Sequence, residues 1–295
     1  MRSQRFHETG WSMKTVSCVM LMAFLIISCT GETMAGPQTV LKTMKDTPPS
    51  AWEGLSRKRV LFGHQSVGNN MLAGLDELLK EHPAIGLTVR SITGPEELAP
   101  GTLAHFQVGR NEKALSKIED FDAKIRQGLG GQVDIALFKF CFVDVDAGTD
   151  VESLFTEYKS TMAALRRDYP GVAFVHVTVP LLRKEKATLK GYVKKILGRS
   201  DGFFADSHNI KRNRYNELLL GHYAGSEPVF DLASMQAAHQ DGTHETFTSG
   251  GRSYLALAPE YTDDGGHLNA PGRRVVAEQF LIFLALLDRE PVAKP

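Results

Sequence analysis

Residues 59–68 read Arg59-Val60-Leu61-Phe62-Gly63-His64-Gln65-Ser66-Val67-Gly68. The apolar run predicts a buried strand, and the glycine-flanked turn that follows it predicts the start of a helix. Apolar residues then recur on one helical face: Met71, Leu72, Leu75, Leu78 and Leu79. We therefore expect Ser66 at the carboxyl end of a strand and at a helix N-terminus, where negative charge is favoured.

Strand-like and helix-like segments alternate along the rest of the chain. The further predicted strands are 87–92, 133–140, 172–179 and 229–232. The predicted helices are 68–80, 114–127, 151–165, 206–221 and 275–287. A long loop is predicted over 93–113, where Gly94, Pro95, Pro100 and Gly109 fall. This alternation predicts a mostly parallel sheet covered by helices on both faces, with ligands bound beyond the carboxyl ends of the strands.

A second informative stretch lies near the C-terminus, where residues 264–269 read Asp264-Gly265-Gly266-His267-Leu268-Asn269. A carboxylate and an imidazole three residues apart lie side by side on one turn, so Asp264 can hold one ring nitrogen of His267 and leave the other to take a proton. Asp263 is a neighbouring alternative, but the spacing favours Asp264. Such a pair lacks only a serine or cysteine nucleophile to form a hydrolytic triad.

These two segments together resemble the SGNH (GDSL-type) hydrolase superfamily over roughly residues 58–288, as a bacterial exported or lipoprotein member with degenerate blocks. The resemblance implies a flavodoxin-like, three-layer α/β/α sandwich and an ester-hydrolysing or acyl-transferring activity without metal or organic cofactor. Carried over to this chain, it implies Ser66 as nucleophile, His267 as general base and Asp264 as the residue that orients the base.

The other family blocks are less well preserved. The family usually has Gly-Asp-Ser where this chain has His64-Gln65-Ser66. By resemblance, backbone N–H groups of Ser66 and Gly109, with the amide of Asn111, would hold the oxyanion. The usual Gly-x-Asn-Asp block is replaced by residues 139–144, which contain no glycine and no asparagine. His64 is expected either to contact substrate or to pack structurally.

The N-terminus has the pattern of an export signal, predicted over 1–36. Met13-Lys14 precedes an apolar run, and the residues before Cys29 resemble a bacterial lipobox. Cleavage after Ala35-Gly36 is the rival interpretation; both place the protein outside the cytoplasm, in the cell envelope, periplasm or medium. Residues 37–56 are predicted to be a linker and 57–290 the hydrolase-like domain.

Charge and cysteine content argue against nucleic-acid binding and against an internal disulfide. Lys plus Arg and Asp plus Glu both number 34, so no net basicity favours nucleic acid. Cys141 is alone in the predicted mature domain and cannot form an internal disulfide. It is expected to be a small buried residue, with a nucleophilic role as the alternative. A lipid anchor at Cys29 would be the only membrane attachment, and the sequence does not indicate an oligomeric state.

The function predicted from the sequence is hydrolysis of acyl esters, O-acetyl esters on carbohydrate by family analogy, through a covalent acyl-enzyme. The substrate would be a small ester or an acylated carbohydrate. Three alternatives stay open at this point: an O-acyltransferase using the same triad, a non-catalytic glycan-binding envelope lipoprotein, and a metal-dependent hydrolase using Asp263, Asp264 and His267.

Overall fold

The computed structural model describes residues 41–185 and 202–287. The predicted signal peptide over 1–36 and the predicted lipidation site Cys29 lie outside the described residues, and both stay predictions. Within the described ranges, no helix combines the length and the apolar character needed to cross a membrane.

Six parallel strands form the central sheet of the described residues. They are β1 (Arg59–His64), β2 (Thr88–Ser91), β3 (Thr102–Gln107), β4 (Ile135–Phe138), β5 (Ala173–Val177) and β6 (Val229–Phe230), in the spatial order β2-β3-β1-β4-β5-β6. Strand β1 lies between β3 and β4. The chain leaves β1 toward β2 on one side of the sheet, and it leaves β4 toward β5 on the other side. Such a point is where open parallel sheets bind ligands.

Helices cover both faces of this sheet, which confirms the predicted three-layer α/β/α fold. They are α1 (Pro49–Leu55), α2 (Ser66–Glu81), α3 (Ala114–Arg126), α4 (Val151–Asp168), α5 (Asp206–Tyr223), α6 (Leu232–Ala237) and α7 (Ala270–Ala285). A separate antiparallel hairpin is formed by β7 (Thr246–Ser249) and β8 (Arg252–Leu255).

Alternate residues of β1 belong to two different hydrophobic cores. Val60 and Phe62 pack in the core that includes α2 and α7, while Leu61 packs in the core that includes α3, α4 and α5. All three side chains are fully buried. A strand buried on both faces has an apolar run without polar alternation, which is why residues 60–62 predict a central strand.

Two predictions from the sequence differ from the structure. The predicted loop over 93–113 contains strand β3, whose short run between glycine- and proline-containing flanks gave no clear period-two signal. The predicted linker over 37–56 contains α1, which begins at Pro49 and packs against the core through Leu55. A proline in the first turn of a helix is favourable, so Pro48-Pro49 marks a helix start here rather than a tether.

The contact between α2 and α7 is unusually close at Gly74. A Cβ atom at this position would lie 2.5 Å from the carbonyl oxygen of Arg273 and 2.8 Å from Cβ of Ala277. The two helices can approach only because residue 74 has no side chain. This packing joins the helix that begins at Ser66 to the helix that follows His267.

We expect Gly74→Ala to lower the free energy of unfolding by about 1–3 kcal/mol, the usual cost of overpacking a core. Gly221→Ala is the matched control, because Gly221 lies at an exposed position of helix α5, where an added Cβ atom would meet no other atom within 4 Å. There the better helix propensity of alanine should raise stability by up to about 1 kcal/mol. Chemical denaturation measures both values, and equal effects of the two substitutions would contradict the packing argument.

Candidate active site

Ser66 is the first residue of α2, and one residue, Gln65, separates it from the carboxyl end of β1. The preceding residue, Gln65, does not cap the helix, because its side-chain amide donates to the carbonyl oxygens of Val108 and Gly109. The Ser66 hydroxyl lies 3.5 Å from Sγ of Cys141. A helix that starts without a side-chain cap leaves its first N–H groups, including that of Ser66, available to an anion.

Asp264 and His267 form the pair expected from their spacing. His267 Nδ1 lies 2.7 Å from Asp264 Oδ2, while Asp264 Oδ1 accepts the backbone N–H groups of Gly266 and His267, both at 2.8 Å. The carboxylate therefore fixes both the ring and the loop that carries it. With Nδ1 donating to Asp264, Nε2 of the neutral imidazole is the proton acceptor.

Hydrogen bonding keeps Asp264 ionised. Burial alone would raise its pKa, but the bonds from His267 and from the N–H groups of Gly266 and His267 outweigh burial and lower the pKa from 3.8 to about 2. Because the folded pKa lies below the ordinary value, the pair stabilises the loop fully above about pH 4 and loses this contribution as the pH falls through 2.

The two glycines between Asp264 and His267 are required by space. Gly265 has a φ of +92°, and a Cβ atom there would lie 2.6 Å from Nε of Arg183. A Cβ atom on Gly266 would lie 2.7 Å from Leu182. The Asp-Gly-Gly-His sequence thus lets the loop pass closely over the segment that follows β5.

One cavity of about 430 Å³ brings the predicted residues together. It is lined by Ser66, Asp264, His267 and Asn111, and its walls are completed by Cys141, Phe142, Val143, Phe203, Phe204 and Gly266. Among the described residues, the hydroxyl of Ser66 is bonded to Cys141 and not to His267. Catalytic hydrogen bonds are often long without ligand and tighten in the substrate complex.

Asn111 is held in one orientation by a buried ion pair. Lys117 Nζ donates to Asn111 Oδ1 at 3.0 Å and to Asp144 Oδ2 at 2.5 Å, and the side chains of Lys117 and Asp144 are both completely buried. Because an ammonium group only donates, its partner on Asn111 must be the oxygen. The amide nitrogen of Asn111 is therefore left as a donor at the cavity.

The same carboxylate supports the loop that carries Asn111. Asp144 Oδ1 accepts the N–H of Glu112 at 2.9 Å, and its Oδ2 accepts the N–H of Cys141 at 2.6 Å. Glu112 has a φ of +65°, a conformation unfavourable for a residue with a side chain, and this bond helps to maintain it. Asp144 thus joins the segments after β3 and β4 beneath the cavity.

The prediction that the Gly109 N–H holds the oxyanion is corrected by the structure. That N–H donates to Asp120 Oδ2 at 2.8 Å, and Gly109 does not line the cavity that contains Ser66 and His267. A glycine is needed at position 109 for another reason. Its φ is +51°, and a Cβ atom there would lie 2.6 Å from the carbonyl oxygen of Ser116. Gly109 shapes the turn into α3.

His64 is not a substrate contact, and the structural alternative is the correct one. Its side chain is fully buried beneath the start of α2, with Nε2 bonded to His105 at 3.0 Å and Nδ1 to the Gln65 carbonyl at 3.1 Å. Burial lowers the pKa of His64 to about 3, so the ring is neutral. Gly68 makes room for this ring, since a Cβ there would lie 2.3 Å from Cβ of His64.

Several residues of the site belong to no motif that predicts a role for them. Asn70, one turn after Ser66 on α2, accepts the N–H of Leu268 at 3.1 Å and so fixes the backbone beside His267. Phe142 packs edge-on against the His267 ring at 5.4 Å. Asn70 follows Ser66 at an i, i+4 spacing, which is the only pattern that could have indicated a shared face.

Two further alternatives from the sequence are Asp263 as the orienting carboxylate and a metal site. Asp263 accepts from Asn269, the residue that caps α7, and does not contact His267. Within the part of the chain that the structure describes, no group of three or more His, Cys, Asp or Glu side chains is arranged to hold a metal ion.

Comparisons with known proteins give similarities at the level of the fold. No family model and no curated protein matches the chain. Among solved structures, a protein from Streptococcus pneumonia provisionally described as a platelet activating factor shares 16% identity over 80% of this chain and 90% of its own, with a TM-score of 0.46. A protein from Desulfitobacterium hafniense DCB-2, provisionally described as lipolytic and of the G-D-S-L family, shares 9% identity over 77% and 99%, with a TM-score of 0.42.

A third similar structure is the periplasmic domain of a lipopolysaccharide acetyltransferase from Salmonella ser. Paratyphi A. It shares 9% identity over 77% of this chain and 83% of that domain, with a TM-score of 0.39.

Asp264→Asn is expected to lower kcat on an ester substrate by about 10²–10⁴-fold, because an amide can donate to Nδ1 and thereby hold the wrong imidazole tautomer. Asp263→Asn is the matched control, since its oxygen accepts only from Asn269 in the described structure, and its rate should stay within about twofold of wild type. Steady-state kinetics of the two variants checks this, and the opposite ranking would make Asp263 the orienting carboxylate.

Proposed function

We propose that this protein is a serine ester hydrolase of the SGNH type. The observation that carries the proposal is the shared cavity. It is lined by Ser66 at the start of α2 and by His267, which is held by Asp264. The three residues come from segments about two hundred positions apart, yet they face one space large enough for a small ester. The residue types and their roles are those of a nucleophilic hydrolase.

In the proposed reaction, Nε2 of His267 removes the Ser66 proton as Oγ attacks the acyl carbonyl carbon. The C–O bond to the alcohol then breaks, and the alcohol leaves with the proton from His267. Water, deprotonated by His267, attacks the acyl-Ser66 ester; the acid leaves and Ser66 regains its proton. Asp264 fixes the tautomer and stabilises the imidazolium during both steps.

The oxyanion would be held by two donors. One is the N–H of Ser66, at a helix N-terminus that has no side-chain cap. The other is the amide nitrogen of Asn111, whose oxygen is occupied by Lys117. Asn111 thus takes the place of the asparagine that is absent from residues 139–144, and a donor held by a buried ion pair is preorganised for a developing charge.

The size and walls of the cavity favour a short acyl group. Its apolar walls come from Phe142, Val143, Phe203 and Phe204. A volume of about 430 Å³ has to hold the acyl group and the ester carbons together, which suits an acetyl group better than a long chain. The carbohydrate nature of the substrate and the extracytoplasmic location come from the sequence resemblance and the N-terminal pattern.

The deciding experiment compares the purified protein with Ser66→Ala and His267→Ala on an aryl acetate. We expect both variants to lose about 10³–10⁶-fold in kcat, since triad members act as a unit. Cys141→Ala is the matched control at the same cavity: removal of a 3.5 Å neighbour should change the rate far less than removal of Ser66. Activity retained by Ser66→Ala but lost in Cys141→Ala would make the cysteine the nucleophile.

The same assay separates hydrolase from acyltransferase and from a non-catalytic glycan-binding protein. A sugar acceptor is added, and the products are separated and identified. Free acetate in equal yield with and without acceptor indicates hydrolysis, whereas an acetylated sugar indicates transfer through the same acyl-enzyme. No turnover and no labelling of Ser66 by a fluorophosphonate would contradict both enzyme functions.

Asn111→Ala is expected to lower kcat by about 10²–10³-fold with little change in KM, because its amide would act mainly in the transition state. Asn111→Asp keeps the oxygen that contacts Lys117 but removes the donor, so it should be at least as slow. Recovery of activity in Asn111→Asp would show that the residue only holds Lys117. Asn69→Ala, which affects an exposed amide bonded to Gln107, is the control.

A further inference from the structure

A second pocket, of about 350 Å³, adjoins the catalytic cavity. The two share Val143 and Phe203 in their walls. Whereas the catalytic cavity is mainly apolar, the second pocket is lined by charged and polar side chains, among them Asp146, His208 and Arg212. A substrate that extends out of the first cavity past Phe203 would enter the second.

The carboxylate of Asp146 is an ionised acceptor at this pocket. Oδ1 of Asp146 accepts the hydroxyl of Thr149 at 2.9 Å and the N–H of Gly148 at 3.0 Å. The bond from Thr149 is the main cause that lowers the pKa of Asp146, and the bond from Gly148 adds to it. Both bonds are made by Oδ1, which leaves Oδ2 to accept from a ligand. The loop after the Phe142–Asp144 turn is thus fixed by the same group that would recognise the ligand.

Two donors face the same pocket from α5. Nδ1 of His208 accepts the N–H of Ala147 at 3.1 Å, so the proton of the neutral ring is on Nε2. Arg212 is only 2% exposed; its Nε donates to the Phe142 carbonyl at 2.8 Å and its Nη1 to Asn209 at 2.9 Å. Neither of these two bonds uses Nη2, and Arg212 lines the pocket, so Nη2 can donate to a ligand there.

An aromatic ring separates the two pockets. Phe203 is 55% exposed, one of the few large apolar side chains so exposed in the described chain, and packs edge-on against Phe142 at 6.0 Å. An exposed aromatic face beside an acceptor and two donors matches a ring that has an apolar face and hydroxyl groups at its edge. Each hydroxyl both donates and accepts, as the mixture of Asp146, His208 and Arg212 requires.

We propose that the second pocket binds the alcohol half of the ester, and that this alcohol is a hydroxyl-rich ring such as a sugar. The inference rests on the proposed function, because it takes the catalytic cavity to hold the acyl half. A long alkyl chain does not fit the pocket, since it would cover a carboxylate and a buried guanidinium without satisfying either.

The test compares two esters with the same acyl group, 6-O-acetylglucose and ethyl acetate. Wild-type protein should prefer the sugar ester by at least about tenfold in kcat/KM, and Asp146→Asn should reduce this preference by about tenfold, as expected for loss of a charge-assisted hydrogen bond. Asparagine keeps the oxygen that holds the loop. Asp241→Asn is the matched control, because Asp241 Oδ1 accepts from Thr243 in the same way in a loop outside the pocket.

Substitutions of Phe203 distinguish a sugar from an acyl chain in the second pocket. Phe203→Trp should keep the preference for the sugar ester, and Phe203→Leu should reduce it several-fold because the flat face is lost. If an acyl chain occupies the pocket instead, wild-type protein will prefer aryl octanoate to aryl acetate and Phe203→Leu will not weaken that preference. That result would overturn the inference.

Failure of the inference and failure of the proposed function give different results. If Ser66→Ala abolishes ethyl acetate hydrolysis but wild-type protein shows no preference for the sugar ester, only the sugar pocket is wrong. If neither ester is turned over, both proposals fail. Saturation-transfer NMR of 6-O-acetylglucose with Ser66→Ala protein measures binding independently of turnover, and equal signals for Asp146→Asn in that background would also contradict the pocket.

Discussion

The site depends on the packing of α2 against α7. The N–H of Leu268 donates to Asn70 Oδ1 across 198 positions of sequence, and Gly74 lets the helices approach further along. Because Ser66 and Asn70 are one turn apart on the same helix, a single element carries the proposed nucleophile and anchors the loop that contains the proposed base, His267. A shift of α2 along α7 would therefore change the distance between Ser66 and His267.

The opposite wall of the cavity depends on a buried ion pair. Lys117 and Asp144 connect α3 with the turn after β4, and their hydrogen bonds reach Asn111, Glu112 and Cys141. Removing two charges from water costs free energy, and the interactions of the buried pair offset this cost only when each polar group has its hydrogen bonds. The pair also has a positioning role, because one carboxylate and one ammonium group fix three backbone and side-chain groups around the cavity.

The sequence predicts the parts of this protein that have a strong local pattern. Three such patterns predict local structure: the apolar run 60–62, the helical stripe after Ser66 and the Asp264–His267 spacing. The fold class is predicted by the alternation of strand-like and helix-like segments along the chain. Strand β3 was missed because its residues Thr102–Gln107 mix small, aromatic and polar types, and its place in the sheet is decided by pairing with β1 and β2. The role predicted for Gly109 was wrong, and the two roles expected for His64 could not be separated, because both depend on partners, Asp120 and His105, that no local pattern indicates.

The altered block at residues 139–144 illustrates how the site can be built from other elements. Without a glycine and an asparagine after β4, the carboxylate of Asp144 is directed inward, to Lys117 and the N–H of Cys141. Lys117 in turn fixes the amide of Asn111, on the segment after β3. A donor lost from the end of β4 can thus be supplied from the end of β3, on the other side of β1, because the carboxyl ends of the strands in a parallel sheet lie at one edge. The altered block at residues 139–144 is therefore compatible with the proposed oxyanion hole as long as Lys117 and Asp144 stay paired.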